Sequence, residues 1–187
     1  NVQHVISNYE SPFGLTERGR QQVQMLAERL KDAPITTMYS SPVLRAMDTA
    51  DILYQSLGLP YRVTEALREY NCGVLEGQSD EASWRLHRQF HEDWTLRHHY
   101  TSKPEGGESF IDIQNRFLPF IESLKRDDDE DILLVGHGGL FHLMLPLILN
   151  NVDDEFVNSH GIGHTECVVA ELQTDGFKCL QWGDTQF

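Results

Sequence analysis

Residues 132–149, ILLVGHGGLFHLMLPLIL, constrain this chain more than any other stretch. The four apolar residues 132–135 have no polar alternation, the pattern of a strand buried on both faces. That run stops at Gly136-His137-Gly138-Gly139, and a second apolar run over 140–149 reads as a buried helix. A histidine is thereby set where the carboxyl end of a strand meets the amino end of a helix. Ligands bind at that edge in open α/β sheets, and the free N–H groups of a helix start favour an anion. Taken alone, a histidine near a strand end is most often a satisfied surface or core residue. The flanking glycines shift the reading towards a ligand site, because they permit close backbone approach.

A chain of 187 residues, 40% hydrophobic and 24% charged, suits one soluble domain with a real core. The expectation is a single α/β domain over residues 1–187. No apolar run is long enough to span a membrane, and 140–149 is interrupted by Pro146. The opening Asn1-Val2-Gln3-His4 has neither the basic start nor the apolar stretch of a secretory signal. With 15 basic and 29 acidic residues the net charge is −14, which argues against a general binder of nucleic acid or anionic membranes. It leaves room for a small anionic substrate in a local basic pocket, since exposed charges are screened over about 8 Å.

Cys72, Cys167 and Cys179 are too few and too scattered for a disulfide framework. Asp175-Gly176 reads as a two-residue hairpin turn, which would set Cys179 opposite Leu172 and Cys167 opposite Asp184. The two cysteines are then not partners, and a cytoplasmic setting is expected. No cysteine–histidine spacing suggests zinc.

Thr16 reads as a helix cap, followed by Val23, Leu26, Ala27 and Leu30 at helical spacing. A short strand is expected over 36–39. Ser41 reads as the next cap with Pro42 at the first helical position, Ala46, Ala50, Leu53 and Leu57 as the buried stripe, and Gly58 as the stop. Residues 61–63 suit a brief strand and 67–77 a loop. Residues 79–103 form an aromatic and histidine-rich insert, read as a helical lid over a pocket. His87 and His91 lack a third ligand at a set spacing, so no metal is assigned. A helix follows with Phe110, Ile113, Phe117, Phe120, Ile121 and Leu124 inward and a kink expected at Pro119. The acidic run 127–131 reads as a solvated turn, because a calcium loop needs spaced ligands and a glycine. Residues 166–172 and 177–182 form a final hairpin.

Several short motifs occur in a fixed order. They are Leu15-Thr16-Glu17-Arg18-Gly19, then Tyr39-Ser40-Ser41-Pro42-Val43-Leu44-Arg45-Ala46, then Leu67-Arg68-Glu69 with Gly73 and Glu76-Gly77. Residues 104–110 (PEGGESF) and Val135-Gly136-His137-Gly138-Gly139 complete the set. Each is weak alone; in this order they resemble the histidine phosphatase superfamily, or phosphoglycerate mutase-like family, over nearly the whole chain. The resemblance implies a three-layer α/β/α sandwich with a mostly parallel sheet. It also implies hydrolysis of a small phosphomonoester through a phosphohistidine, with no metal or cofactor. Such chemistry needs a nucleophile, donors around the phosphoryl oxygens, and an acid for the leaving oxygen.

By the same resemblance Arg45 is a phosphate-binding arginine and Glu69 the proton donor. His137 is a histidine that binds a phosphoryl oxygen, the Gly138 N–H a backbone donor, and Asn1 a further phosphate contact. Read without it, Arg45 is surface charge and Glu69 an ordinary loop carboxylate. The nucleophile of the family belongs to an arginine-histidine-glycine triplet, which this sequence does not contain. His4 lacks the flanking arginine and glycine. The expectation is that the natural protein carries an apolar strand and that triplet before Asn1. The alternatives are phosphoryl transfer of the phosphoglycerate mutase type and a non-catalytic, phosphate-binding pseudoenzyme.

Overall fold

The computed structural model describes residues 4–9, 11–125, 131–174 and 176–187. Glu17–Leu30 (α1) starts where Thr16 accepts the Gly19 N–H, and Val23, Leu26 and Ala27 face inward at the expected spacing. Ile35–Ser40 (β1) leads to Leu44–Leu57 (α2), which buries Ala46, Ala50 and Leu53 and ends at Gly58, with a left-handed φ of 69°. Tyr61–Val63 (β2) follows, and residues 65–75 hold two short 3-10 turns. Next come Glu81–Thr95 (α3) and Phe110–Leu124 (α4), the second opened by a reciprocal cap between Ser109 and Asp112. Asp131–Val135 (β3) runs into Gly138–Met144 (α5), and Asp154–Ser159 (α6) precedes a hairpin.

The three strands β2, β1 and β3 form a parallel sheet in that order, with Met38 opposite Tyr61 and Leu133, and Ser40 opposite Val63 and Val135. Alternation of side chains along β1 and β3 feeds two cores. Met38, Leu133 and Val135 meet α1 and α2 on one face. Tyr39 and Leu134 meet Phe117 and Ile121 of α4 and Leu140 and Met144 of α5 on the other. These are three layers, helix–sheet–helix, with the sheet's carboxyl edge turned towards 136–139. Burying a side chain such as Phe117, which is fully enclosed, contributes about 1.5–3 kcal/mol. Val168–Gln173 (β4), Gly176–Trp182 (β5) and Thr185–Gln186 (β6) form a separate antiparallel sheet.

Several expectations are corrected. The second helix starts at Leu44, two residues beyond Pro42, because the Ser41 hydroxyl accepts the Val43 N–H at 3.2 Å and turns the chain before the helix begins. The apolar run 140–149 is not one helix: α5 begins at Gly138, ends at Met144, and gives way to a 3-10 turn, Leu145–Leu147, at Pro146. The hairpin pairing is two positions off. Gln173 pairs with Gly176, Leu172 with Phe177 and Ala170 with Cys179, and a bulge between Val169 and Ala170 then sets Val169 opposite Gln181. Asp175, of the expected turn, lies outside the described residues, and the Cys167 carbonyl meets the Gly183 N–H. Strand β3 has apolar cores on both faces, yet Ile132, Leu133 and Leu134 remain half-buried, because only β1 pairs with it among the described residues. Of the acidic run only Asp131, the first residue of β3, lies within the described residues.

Candidate active site

The strand ends bring the chemistry together. Ser41 follows β1, and its N–H donates to Val135 O at 2.9 Å, so the ends of β1 and β3 are tied side by side. His137 follows β3 and caps α5. Its Nε2 lies 2.7 Å from Ser41 Oγ, and the residue is 6% exposed. Burial first, and then the charges of Arg45, Arg116 and Arg68, hold its pKa well below the ordinary value of 6.5. The free imidazole is therefore neutral at neutral pH. A bound phosphate would oppose those cations and favour the protonated ring.

Glu69 sits at the end of the first 3-10 turn, 7% exposed. One carboxylate oxygen accepts the Tyr70 N–H and the other the Gly139 N–H, each at 3.1 Å. Burial pushes its pKa up, opposed by those N–H groups, by Arg45 and by the Leu140 N–H. Burial thus favours the protonated form of this carboxyl group. The first N–H groups of a helix have no partner within it. Glu69 takes that of Gly139, which leaves the Gly138 N–H open among the described residues.

Arg45, the second residue of α2, points at the loop over 7–9. Its guanidinium donates to the Ser7 carbonyl at 3.1 Å and the Asn8 carbonyl at 3.4 Å. Its charge acts on both Glu69 and His137, which places it within electrostatic reach of the two other predicted side chains. Burial lowers its pKa, with Glu69 and Glu76 opposing. Asn1 lies outside the described residues.

Four supporting residues were not assigned this work from sequence. Ser41, read as a cap, contacts His137. Glu76 accepts the N–H groups of Asn8, Tyr9 and Cys72 at 2.9, 3.2 and 3.0 Å, which fixes the loop that Arg45 grips. Glu108 accepts the Asn71 N–H and pairs with Arg116, clamping the far side of the Glu69 loop. Within the PEGGESF stretch, a Cβ on Gly107 would lie 2.7 Å from Asn71 O, so glycine is what lets that loop close on residues 71–73. Glu76 and Glu108 belong to the motifs quoted above, and their positions beside glycines were the available signal.

Gly139 is held against the site itself. A Cβ there would stand 2.7 Å from Tyr70 Cε1 and 2.8 and 2.9 Å from the two Glu69 oxygens. Gly139→Ala is expected to push the Glu69 carboxyl aside and lower turnover by about 10²-fold, the scale of an ångström's misplacement. A melting temperature close to wild type alongside that loss would separate misplacement from unfolding; full activity would show that Glu69 has no fixed role.

The comparisons with known proteins agree with this geometry. The profile of the histidine phosphatase superfamily (branch 1) matches residues 2–185. The chain belongs to that superfamily. It is 29% identical over 188 residues to the glucosyl-3-phosphoglycerate phosphatase of Mycolicibacterium vanbaalenii, covering 90% of this chain and 80% of that one. It is 31% identical over 146 residues to the 6-phosphofructo-2-kinase/fructose-2,6-bisphosphatase of Gallus gallus, 76% of this chain but only 29% of that protein's length. Among solved structures, Bacillus stearothermophilus YhfR superposes with a TM-score of 0.83 at 28% identity, over 100% of this chain and 92% of that one. A mycobacterial glucosyl-3-phosphoglycerate phosphatase in complex with VO3 gives 0.81 at 26% identity, over 99% and 93%. As in those histidine phosphatases, the sheet here is parallel and flanked by helices. Among the described residues no helix is long and apolar enough to cross a membrane, and no group of three metal-ligating side chains is present.

Proposed function

We propose that this protein is a phosphatase that hydrolyses a small phosphomonoester through a phosphohistidine. The observation that carries the reading is Glu69, a buried carboxyl group with a raised pKa held beside Arg45 and His137. A binding pocket for phosphate has no use for an added carboxyl group, whereas a leaving alkoxide needs its proton. In the first step a histidine nitrogen bonds to phosphorus, the P–O bond to the leaving group breaks, and Glu69 gives that oxygen its proton. In the second, water attacks phosphorus, Glu69 takes the water's proton, and the N–P bond breaks to release phosphate. Arg45, the neutral-to-cationic change of His137 and the Gly138 N–H hold the phosphoryl oxygens throughout. The names of the relatives, phosphatases acting on phosphorylated small molecules, favour the same reading.

The nucleophile in this scheme is the histidine of an arginine-histidine-glycine triplet on a further parallel strand. The side of β3 that has no strand partner among the described residues, with half-buried Ile132, Leu133 and Leu134, suits such a neighbour, which would end beside His137. The insert 79–103 serves as the lid, since His87 of α3 reaches Tyr70, the neighbour of Glu69, at 3.2 Å. Three free cysteines accord with a reducing, cytoplasmic setting.

The test is a panel of phosphomonoesters given to the full-length protein, with inorganic phosphate and phosphorylated protein both followed. Release of phosphate with a transient, acid-labile phosphohistidine is the expected result. Transfer to a second hydroxyl of a sugar acid would replace hydrolysis by mutase chemistry. Phosphate binding without turnover would make the protein a pseudoenzyme.

A further inference from the structure

Beyond the phosphate pocket, the structure contains an open bowl of about 470 Å³ between the loop over 4–9 and α3, lined by His4, Ser79, Glu81, Trp84 and Arg88. Glu81, Trp84 and Arg88 stand at i, i+3 and i+7 on α3, one face of the helix. The Trp84 indole is pinned, because its Nε1 donates to the His4 carbonyl at 2.8 Å and its other side packs on the main core. Around it, the side chains of Ser79, Glu81 and Arg88 are exposed and make no hydrogen bond or ion pair among the described residues. A fixed aromatic wall ringed by polar groups with unused donors and acceptors is the composition of a small-molecule site.

The bowl adjoins the proposed active site. Trp84 meets His87 edge-on with ring centroids 5.4 Å apart, His87 bonds to the Tyr70 hydroxyl, and Tyr70 follows Glu69. On the other wall the loop pairs with 77–78 through Ile6 and reaches the Arg45 partners Ser7 and Asn8 three to four residues after His4. Three extended residues span about 10 Å. The bowl therefore takes the far end of a leaving group, not the atoms next to phosphorus.

We infer that this bowl binds a neutral, polyhydroxylated ring, so that the substrate is a sugar- or polyol-type phosphomonoester with its ring laid on Trp84. The inference rests on the phosphatase reading. An anionic tail is opposed by Glu81 and a cationic one by Arg88, whereas ring hydroxyls donate to the carboxylate and accept from the guanidinium. The apolar face of such a ring suits the indole. Platforms that stack nucleobases come with a basic groove along the backbone; here Glu81 shares the face with Arg88 and the net charge is −14.

The experiment measures kcat and KM of the full-length protein for a hexose phosphate, phosphoserine, AMP and 4-nitrophenyl phosphate. It is repeated with Trp84→Ala and with Arg88→Ala and Glu81→Gln, whose exposed sites do not endanger folding. The expected result is a rise in KM for the hexose phosphate at least about tenfold larger than for 4-nitrophenyl phosphate, with kcat little moved. Equal effects on all four substrates, or the largest effect on AMP, overturn the proposal. A second readout does not depend on turnover. Trp94 and Trp182 are each 2% exposed, so acrylamide quenching reports on Trp84. Saturating unphosphorylated glycoside should protect that fluorescence, and Trp84→Phe should abolish the change. Protection without turnover of any phosphomonoester would sink the phosphatase reading and keep the bowl. Turnover without protection, and without the KM split, would do the reverse.

Discussion

Glu69→Gln is expected to lower kcat/KM by about 10²–10⁴-fold on an alkyl phosphate and far less on 4-nitrophenyl phosphate. The alkyl leaving oxygen needs a proton as the P–O bond breaks, while a nitrophenolate departs without one. The amide keeps the size of the carboxyl group and can still accept from Tyr70 or Gly139, so the loss reports on the proton and not on shape. A stability change should accompany it. Burial raises the Glu69 pKa above its ordinary 4.5. The carboxyl group's contribution to stability is therefore full below about 4.5 and is lost as pH rises through the folded-state value. As pH rises above about 4.5 the buried charge becomes a cost that the amide does not carry. The melting temperature of the variant should therefore gain on that of wild type as pH rises, with the gap closing towards pH 4.5. Equal kinetic losses on both esters would reject the proton-donor role; a melting temperature that loses ground on wild type as pH rises would reject the account of burial.

Arg45→Lys is expected to lower kcat/KM by about 10²–10³-fold and to weaken inhibition by vanadate or phosphate at least tenfold. Arg45 holds two neighbouring carbonyls, those of Ser7 and Asn8, while its charge also reaches Glu69 and His137. A lysine supplies the charge as a point and cannot keep the loop and the phosphoryl oxygens together. Lysine is the better probe than alanine, because it leaves the buried Glu69 and the half-buried Glu76 a cation to face. Unchanged vanadate affinity in a folded Arg45→Lys variant would remove Arg45 from the phosphate site.

Much of this was legible in the chain. The helical stripes over 23–30 and 46–57 were readable because each helix has one wet and one dry face, and periodicity records that directly. Gly136 and Gly139 marked the strand-to-helix corner, because close approach of the Phe141 ring and of Tyr70 and Glu69 excludes a Cβ there. Arg45, Glu69 and His137 were assigned through the order of motifs, not through any local property. By itself each is an unremarkable charged or polar residue.

Other features depended on packing across distance. That Ser41 would leave its capping role and meet His137 requires β1 and β3 to be neighbours, a pairing of residues 96 positions apart. The hairpin pairing moved by two positions and gained a bulge, because local turn propensity competes with the docking of Cys179, Phe177 and Trp182 into the core. The Glu69 pKa is raised because the fold removes the carboxyl group from water, against Arg45 of α2 and the N–H groups of Gly139 and Leu140 of α5, and no sequence window contains these together. Periodicity and glycine placement are short-range consequences of backbone geometry, so the sequence alone determined the elements and the corners between them. Protonation state and side-chain partnership depend on the local dielectric and on contacts between distant segments, and those only the tertiary structure decided.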